Sequence, residues 1–313
     1  KQPLTLVFAV PDHPWVDSAQ GAAVRIAMSV GPLGEEEGRL LTVFEERSTT
    51  ENEVDVQLQE RRGLLHADLR LGANLSAAVT LAANSGISNT GVKLHGAGFI
   101  VSRGEAESLG LGTQPGLDRH VREYRNGRDL MASSRDALVI DLAGLEATEV
   151  RQRFPAVYQW VLERVKPERD QNREEYRRRN WWLFGRKNTE LRAGLDGLVR
   201  YIGTVVTAKH RVFQFLPKST LPDDAIIAIA TSDALWLGVL SSEIHVGWAL
   251  RTGATLEDRP RYIKSTCFET FPFPSDDTGL TPTVNPAASI TVDNKGLFSP
   301  AGMAPGLLHS LSN

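Results

Sequence analysis

Apolar positions along the chain change period several times, and each change marks an element. The runs "LTLVFAV" and "AAVRIAMSV" read as two short strands, parted by the polar loop "PDHPWVDSAQG", whose prolines and aspartates break any helix. "LLTVFEE" predicts a further strand within a Gly- and Glu-rich stretch over 31–60, and "NLSAAVTLAANSG" a short helix capped by Asn74 or Ser76 and closed near Gly86. From Phe154 to Arg179 the period is helical, and Pro167 places a break between two helices at Lys166. "GLVRYIGTVV" and "HRVFQFL" read as strands. "PDDAIIAIATSDALWLGVLSSEIHVGWALRTG" predicts helices, capped at Pro222/Asp223 and near Thr231 or Ser232 and ending near Gly253. From Ser275 onward the chain is Pro-, Ser-, Thr- and Gly-rich without a sustained period, which predicts a loosely packed tail. The elements together predict an α+β fold.

With 313 residues, 41% hydrophobic and 23% charged, the chain is long enough for one large or two moderate domains. No apolar run approaches the ~18 to 20 residues of a membrane span, and the opening "KQPLTLVFAVPDHPW" lacks the basic and apolar regions of a leader. A cytoplasmic location without a membrane partner is therefore expected. The single Cys267 excludes an intrachain disulfide and reads as a small buried hydrophobe. Net charge is −3, but it is segregated. Residues 1–150 hold 14 Lys/Arg against 21 Asp/Glu, residues 151–218 hold 16 against 7, and residues 219–313 hold 5 against 10. A block of +9, mostly Arg, within an acidic chain is the footprint of a surface that receives a polyanion, since guanidinium forks pair with phosphate or the guanine edge. The competing reading is a solvated helical face, on which Glu174 and Arg178 stand at i,i+4.

Catalytic constellations are missing. The seven histidines are never closer than 25 residues, so a helical metal pair or a Cys/His zinc site is not expected. "GAGF" at Gly96–Phe99 lacks the fingerprint of a cofactor loop and reads as a tight turn. Ser241 and His245 with Asp233 lack the Gly-x-Ser-x-Gly elbow of a hydrolase. No catalytic residue and no metal are assigned. The string "KHRVFQF" sets Lys209, His210 and Arg211 at the lip of an apolar run, either as an edge strand guarded by cations or as a hand held out to an anion.

The strings "REYRNGRDL", "VIDLAGLEATE", "PAVYQWVLERVKPERDQN", "WWLFGR", "LVRYIGTVVTAKHRVFQFL", "LGVLSSEIHVGWAL", "LEDRPRY" and "CFETFPFP" follow one another in an order that resembles the C-terminal part of MmeI-like adenine-specific DNA methyltransferases. In these restriction-modification enzymes a methylase core precedes a target recognition domain. The resemblance covers about residues 5–274. It implies the last strands of a Rossmann-like core at 1–45, a mixed recognition domain at 46–274 and an irregular tail at 275–313. It also implies double-stranded DNA as partner and S-adenosylmethionine as cofactor of the parent enzyme, not of this chain. Trp15 matches the position at which the family stacks an aromatic on the flipped adenine, and an indole suits a base taken from its stack. Lys209, His210 and Arg211 fall where the family reads bases. Around them Arg169, Arg173, Arg177, Arg178, Arg179, Arg186 and Lys187 are expected to clamp phosphates, and Arg125 and Arg128 to touch DNA or brace their turn, with Asn126 and Gly127 suited to positive φ. Trp181 and Trp182 are expected to pack helix on sheet. The sequence departs from the family in lacking its Gly-containing cofactor loop and its Asn-Pro-Pro-Tyr tetrapeptide. An upstream methylase core is thus expected as a missing partner, and the chain alone is expected not to methylate. The divergence after Pro274 would fit a shortened or frame-shifted gene product. The alternative function is an inert remnant that has lost its DNA affinity.

Overall fold

The computed structural model describes residues 5–15, 24–32, 36–50, 53–186, 188–256, 259–274, 290–292 and 298–300. Contacts divide the chain into a large unit, Lys1–Phe271, and a small one, Pro272–Asn313. The large unit opens with four strands, β1 (Phe8–Trp15), β2 (Val24–Val30), β3 (Gly38–Thr50) and β4 (Glu53–Gly63). They form one sheet in the order β2-β1-β3-β4, parallel only between β1 and β3. The expected division at residue 45 falls inside β3, which runs on and pairs with β4 as far as Thr50 opposite Glu53. Few side chains are buried here. Ala9, Leu40 and Leu65 make a small core, whereas Val24, Val30, Phe44 and Leu58 stay exposed.

The remaining strands of the unit are β5 (Ser88–Thr90), β6 (Ile100–Val101), β7 (Val121–Arg125), β8 (Leu138–Ile140), β9 (Arg200–Val205), β10 (Gln214–Pro217), β11 (Leu221–Pro222), β12 (Ile226–Ile229), β13 (Ala254–Leu256) and β14 (Arg259–Arg261). Its helices are α1 (Arg103–Ser108), α2 (Gly127–Met131), α3 (Ala147–Arg153), α4 (Pro155–Arg164), α5 (Lys166–Asp170), α6 (Glu175–Arg179), α7 (Thr189–Gly194), α8 (Ala234–Ser241) and α9 (Glu243–Thr252). Two further four-stranded sheets, β10-β9-β12-β5 and β11-β7-β8-β6, form a mixed α/β body. Its core gathers Phe99, Val139, Ile140, Phe154, Val161 and Tyr201 with Trp181 and Trp182, whose indoles are both buried as expected. Trp182 donates its Nε1–H to the Leu145 carbonyl at 2.9 Å, which satisfies the one polar atom that its burial would strand.

Several elements depart from the sequence reading. "AIIAIA" is the central strand β12, flanked by β9 and β5 and buried at every position from Ile226 to Ile229, and not a helix. The expected helix over 74–86 is two single 3-10 turns. Asn84, at the end of the second, donates to the carbonyls of Phe268, Glu269 and Phe271 and so ties this segment to the C-terminal end of the unit. Helices do follow, with Asp233 rather than Thr231 or Ser232 as the cap of α8, and Gly253 closing α9. "GAGF" is a tight turn, with Gly96 at φ +154°. The break at Lys166 between α4 and α5 is present. In the small unit, Ile290–Val292 pairs antiparallel with Phe298–Pro300, and the rest of the expected tail lies outside the described residues.

Candidate nucleic-acid interface

Tyr201 to Val205 are buried in the middle of a sheet, and the chain must turn out of it before β10 can return antiparallel. Residues 206–213 make that excursion as a loop, with Lys209 and His210 exposed at its tip. The strand begins only at Gln214, so "KHRV" is a loop standing off the sheet and not a guarded edge.

Arg211 sits on that loop but turns inward. Its guanidinium donates to the carbonyls of Val205, Val206 and Pro260 and to Thr204 Oγ1, and lies 5.1 Å from the centre of the Tyr262 ring. Burial pushes its pKa down. Beneath it Tyr262 is held by the buried His245, Nε2 to Oη at 3.0 Å. Burial, with Arg211 adding to it, lowers the His245 pKa to about 4, so the imidazole is neutral at pH 7. The expected fork of Arg211 onto guanine is therefore corrected. Its hydrogen-bonding edge is spent on the protein's own carbonyls, and it braces the loop that displays Lys209 and His210. His245 belongs to this brace and not to a hydrolase triad.

A second segment meets the loop. Asn126 caps α2, its side chain accepting from the Arg128 and Asp129 amides, while Asp129 accepts in return from the Asn126 amide. Burial pushes the Asp129 carboxyl up, but the Arg135 fork and two backbone amides outweigh it, and the pKa falls to about 2. Asn126 has φ −106°, and a Cβ on Gly127 would come 2.9 Å from Val205 Cγ1. Glycine is thus needed for close approach to the end of β9, not for the positive φ expected of the pair. This contact brings Arg128 to the loop. Arg128, Lys209 and Arg261 of β14 line one open groove of about 710 Å3, whose apolar walls include Met131, Val205 and Leu256. Asp223 and Asp224 also line it, but Asp223 accepts from the Tyr124 hydroxyl and the Ala225 amide, and Asp224 pairs with Lys93 at 3.4 Å. Among the described residues, no carboxylate lies within ion-pair distance of Arg128, Lys209 or Arg261. The groove therefore offers three cations without an ion-pair partner among the described residues, from three separate segments, against one carboxylate, Asp223, that no described cation pairs with. Arg261 was not singled out from the sequence, where its string "RPRY" carries no signal beyond charge.

Other expected residues are placed as follows. Arg125 is half-buried and lines a different hollow beside Glu123 and Asp136. Arg169 is 1% exposed and donates Nη2 to the Leu94 and Leu183 carbonyls, so no phosphate can reach it, and its expected clamp role is corrected to an internal tie. Arg177 is half-buried and paired with Glu174 at 3.0 Å, and Arg179 is exposed and paired with Glu175 at 2.7 Å. Arg178 is exposed and donates to the Asn172 and Arg173 carbonyls. Arg173 and Arg186 are exposed, and Lys187 lies outside the described residues. Glu174 pairs with Arg177, not with Arg178. Trp15 ends β1 with 46% of its surface exposed. The +9 segment is thus partly consumed inside the protein, and its surface share is smaller than the sequence count.

Among the described residues there is no His/Cys/Asp/Glu group arranged for a metal, and no helix long and apolar enough to cross a membrane. No curated protein matches the chain. The fold is similar to that of a Type IIL restriction-modification enzyme, MmeI, solved in complex with DNA, with a TM-score of 0.65 and 18% identity over 87% of this chain. The match covers 36% of that enzyme, so the chain spans little more than a third of its length. The family model described as the MmeI target recognition domain matches residues 84–275, the body that holds the sheets β10-β9-β12-β5 and β11-β7-β8-β6 and the groove between α2 and the 206–213 loop. The chain belongs to the MmeI target recognition domain family.

Proposed function

We propose that the chain is the DNA-recognition portion of an adenine-N6 methyltransferase, and that the groove of Arg128, Lys209 and Arg261 meets double-stranded DNA. The observation that carries this reading is the convergence on one groove of three cations without an ion-pair partner among the described residues, one of them on a loop held out by an internal Arg clamp. Lys209 and His210 read base edges, and Arg211 fixes where they stand. Arg173, Arg178, Arg179 and Arg186 meet backbone phosphates, which add affinity without sequence information. Trp15, exposed at the end of β1, is the surface for the flipped adenine. The sheet β1–β4 continues a larger methylase core supplied from outside the chain; its small core and exposed Val24, Val30, Phe44 and Leu58 support this. That core binds S-adenosylmethionine, the methyl donor. The assembled enzyme works in the cytoplasm.

The test is selection of bound duplexes from a randomised pool by the purified chain, followed by sequencing. Enrichment of a short motif, lost at one position in Lys209→Ala, supports base reading in the groove. Recovery of unselected DNA removes base reading but keeps DNA binding, and recovery of none leaves an inert remnant.

A further inference from the structure

A second cleft lies between the N-terminal sheet and α9. Its walls are β1 and β3 on one side, through Asp12 and Thr42, and the 68–75 segment with Leu250 and Arg251 of α9 on the other. At about 1250 Å3 it exceeds the roughly 300 to 1,000 Å3 of small-molecule pockets, and it suits a polymer strand better than a metabolite. Four arginines line it, Arg25, Arg61, Arg70 and Arg251, against two aspartates, Asp12 and Asp68. Arg25 is committed, pairing with Asp12 at 2.6 Å and Glu46 at 2.7 Å. Asp12 is occupied by the same pair, and Asp68, which accepts from the Arg70 amide at 3.2 Å, is the one carboxylate of the lining that keeps its charge unpaired among the described residues. That leaves Arg61, Arg70 and Arg251, none of which has an ion-pair partner among the described residues. Arg70 also donates Nη1 to the Arg251 carbonyl at 3.4 Å, linking the 68–75 wall to the end of α9.

We infer that this cleft is a second DNA contact, a phosphodiester strip formed by Arg61, Arg70 and Arg251. None of the three stands in the +9 segment, and none is expected from the sequence. Arg61 comes from the end of β4, Arg251 from the last turn of α9, and only the fold brings them together. Guanidinium groups around a wide cleft hold consecutive phosphates, which are spaced along a strand and carry one charge each. Such contacts act on all sequences alike.

The inference rests on the DNA reading above, and the experiment separates the two. Duplex affinity of the full chain is measured over a salt series for wild type, for Arg61→Ala/Arg70→Ala/Arg251→Ala, for the corresponding triple Lys variant and for Lys209→Ala. A melting curve for each confirms the fold. Each phosphate neutralised contributes about −0.9 to the slope of log K against log salt, so the Ala triple should be shallower by roughly 2 to 3 and the Lys triple near wild type. The motif selected by the Ala triple should be unchanged. An Ala triple with wild-type affinity and slope, beside a Lys209→Ala variant that loses selectivity, overturns the strip and leaves the groove standing. Absence of DNA binding by wild type overturns both.

Discussion

Arg211→Ala should cost stability rather than a base contact. The guanidinium donates to Thr204 Oγ1 at 3.2 Å, to the Pro260 carbonyl at 3.3 Å and to the Val206 carbonyl at 3.5 Å, besides its bond to Val205. These bonds do not simply add. The Val206 carbonyl keeps the Tyr262 amide at 2.7 Å and the Pro260 carbonyl keeps the Ala208 amide at 3.2 Å, so removal of Arg211 leaves both with a partner. What is lost is the charged component of the network, about 1.5 to 3 kcal/mol, and the contact with the Tyr262 face, about 0.5 to 2 kcal/mol. A total near 3 kcal/mol lowers Tm by roughly 6 to 12 °C in a domain of about 150 to 250 residues, and somewhat less in this larger unit. Calorimetry on Arg211→Ala and Lys209→Ala checks this directly. Lys209 is exposed, and its loss should stay within about 0.5 kcal/mol of wild type. If Arg211→Ala melts with wild type while its selected DNA motif loses one position, Arg211 reads a base and the brace is wrong.

Four further outcomes follow from the same geometry. Arg169→Ala strips the guanidinium from the Leu94 and Leu183 carbonyls and should destabilise by about 1.5 to 3 kcal/mol in urea titration, the worth of charge-assisted hydrogen bonds, while the salt slope of DNA binding stays at the wild-type value. His245 is neutral in the fold, with its pKa lowered to about 4, whereas the unfolded chain takes up that proton near 6.5. Stability is therefore full above about pH 6.5 and falls by up to roughly 3 kcal/mol as pH drops toward 4, a loss that His245→Gln should reduce in pH-dependent unfolding. Gly127→Ala should drive α2 off Val205, weakening DNA selectivity at the groove before it abolishes folding, as read by paired melting and binding curves. The chain by itself should incorporate no labelled methyl group into mixed-sequence DNA.

Much of the fold was legible where local chemistry decides it. Pro155 and Pro167 open α4 and α5, Gly253 ends α9, and the apolar run of β9 sits in the body as read. "AIIAIA" was not legible, because a continuous apolar run has no period to separate a two-sided buried strand from a helix; the flanking β5 and β9 make it a strand. "EVDVQLQERRG" carries the alternation of a strand, with Val54, Val56 and Leu58 on one face, and β4 was legible by period; the Gly- and Glu-rich composition of 31–60 masked it. The cations divide in the same way. Sequence marks Lys209 and Arg211 alike as charges beside a strand, and only the position of the Val205 and Pro260 carbonyls tells which one turns inward. Arg261 entered the groove through pairing of β13 with β14, Leu256 opposite Arg259, which no local signal announces.

If Lys209, on the loop braced by Arg211, reads a base of the target site, its loss must change the site that is methylated. This is tested most directly by fusing a related methylase core to the chain and mapping methylated adenines across a host genome, for wild type and for Lys209→Ala. A single recognition motif is predicted for wild type, with one position relaxed in Lys209→Ala and the remaining positions kept, since a good base contact discriminates by about 1 to 3 kcal/mol. An identical motif in both maps contradicts it.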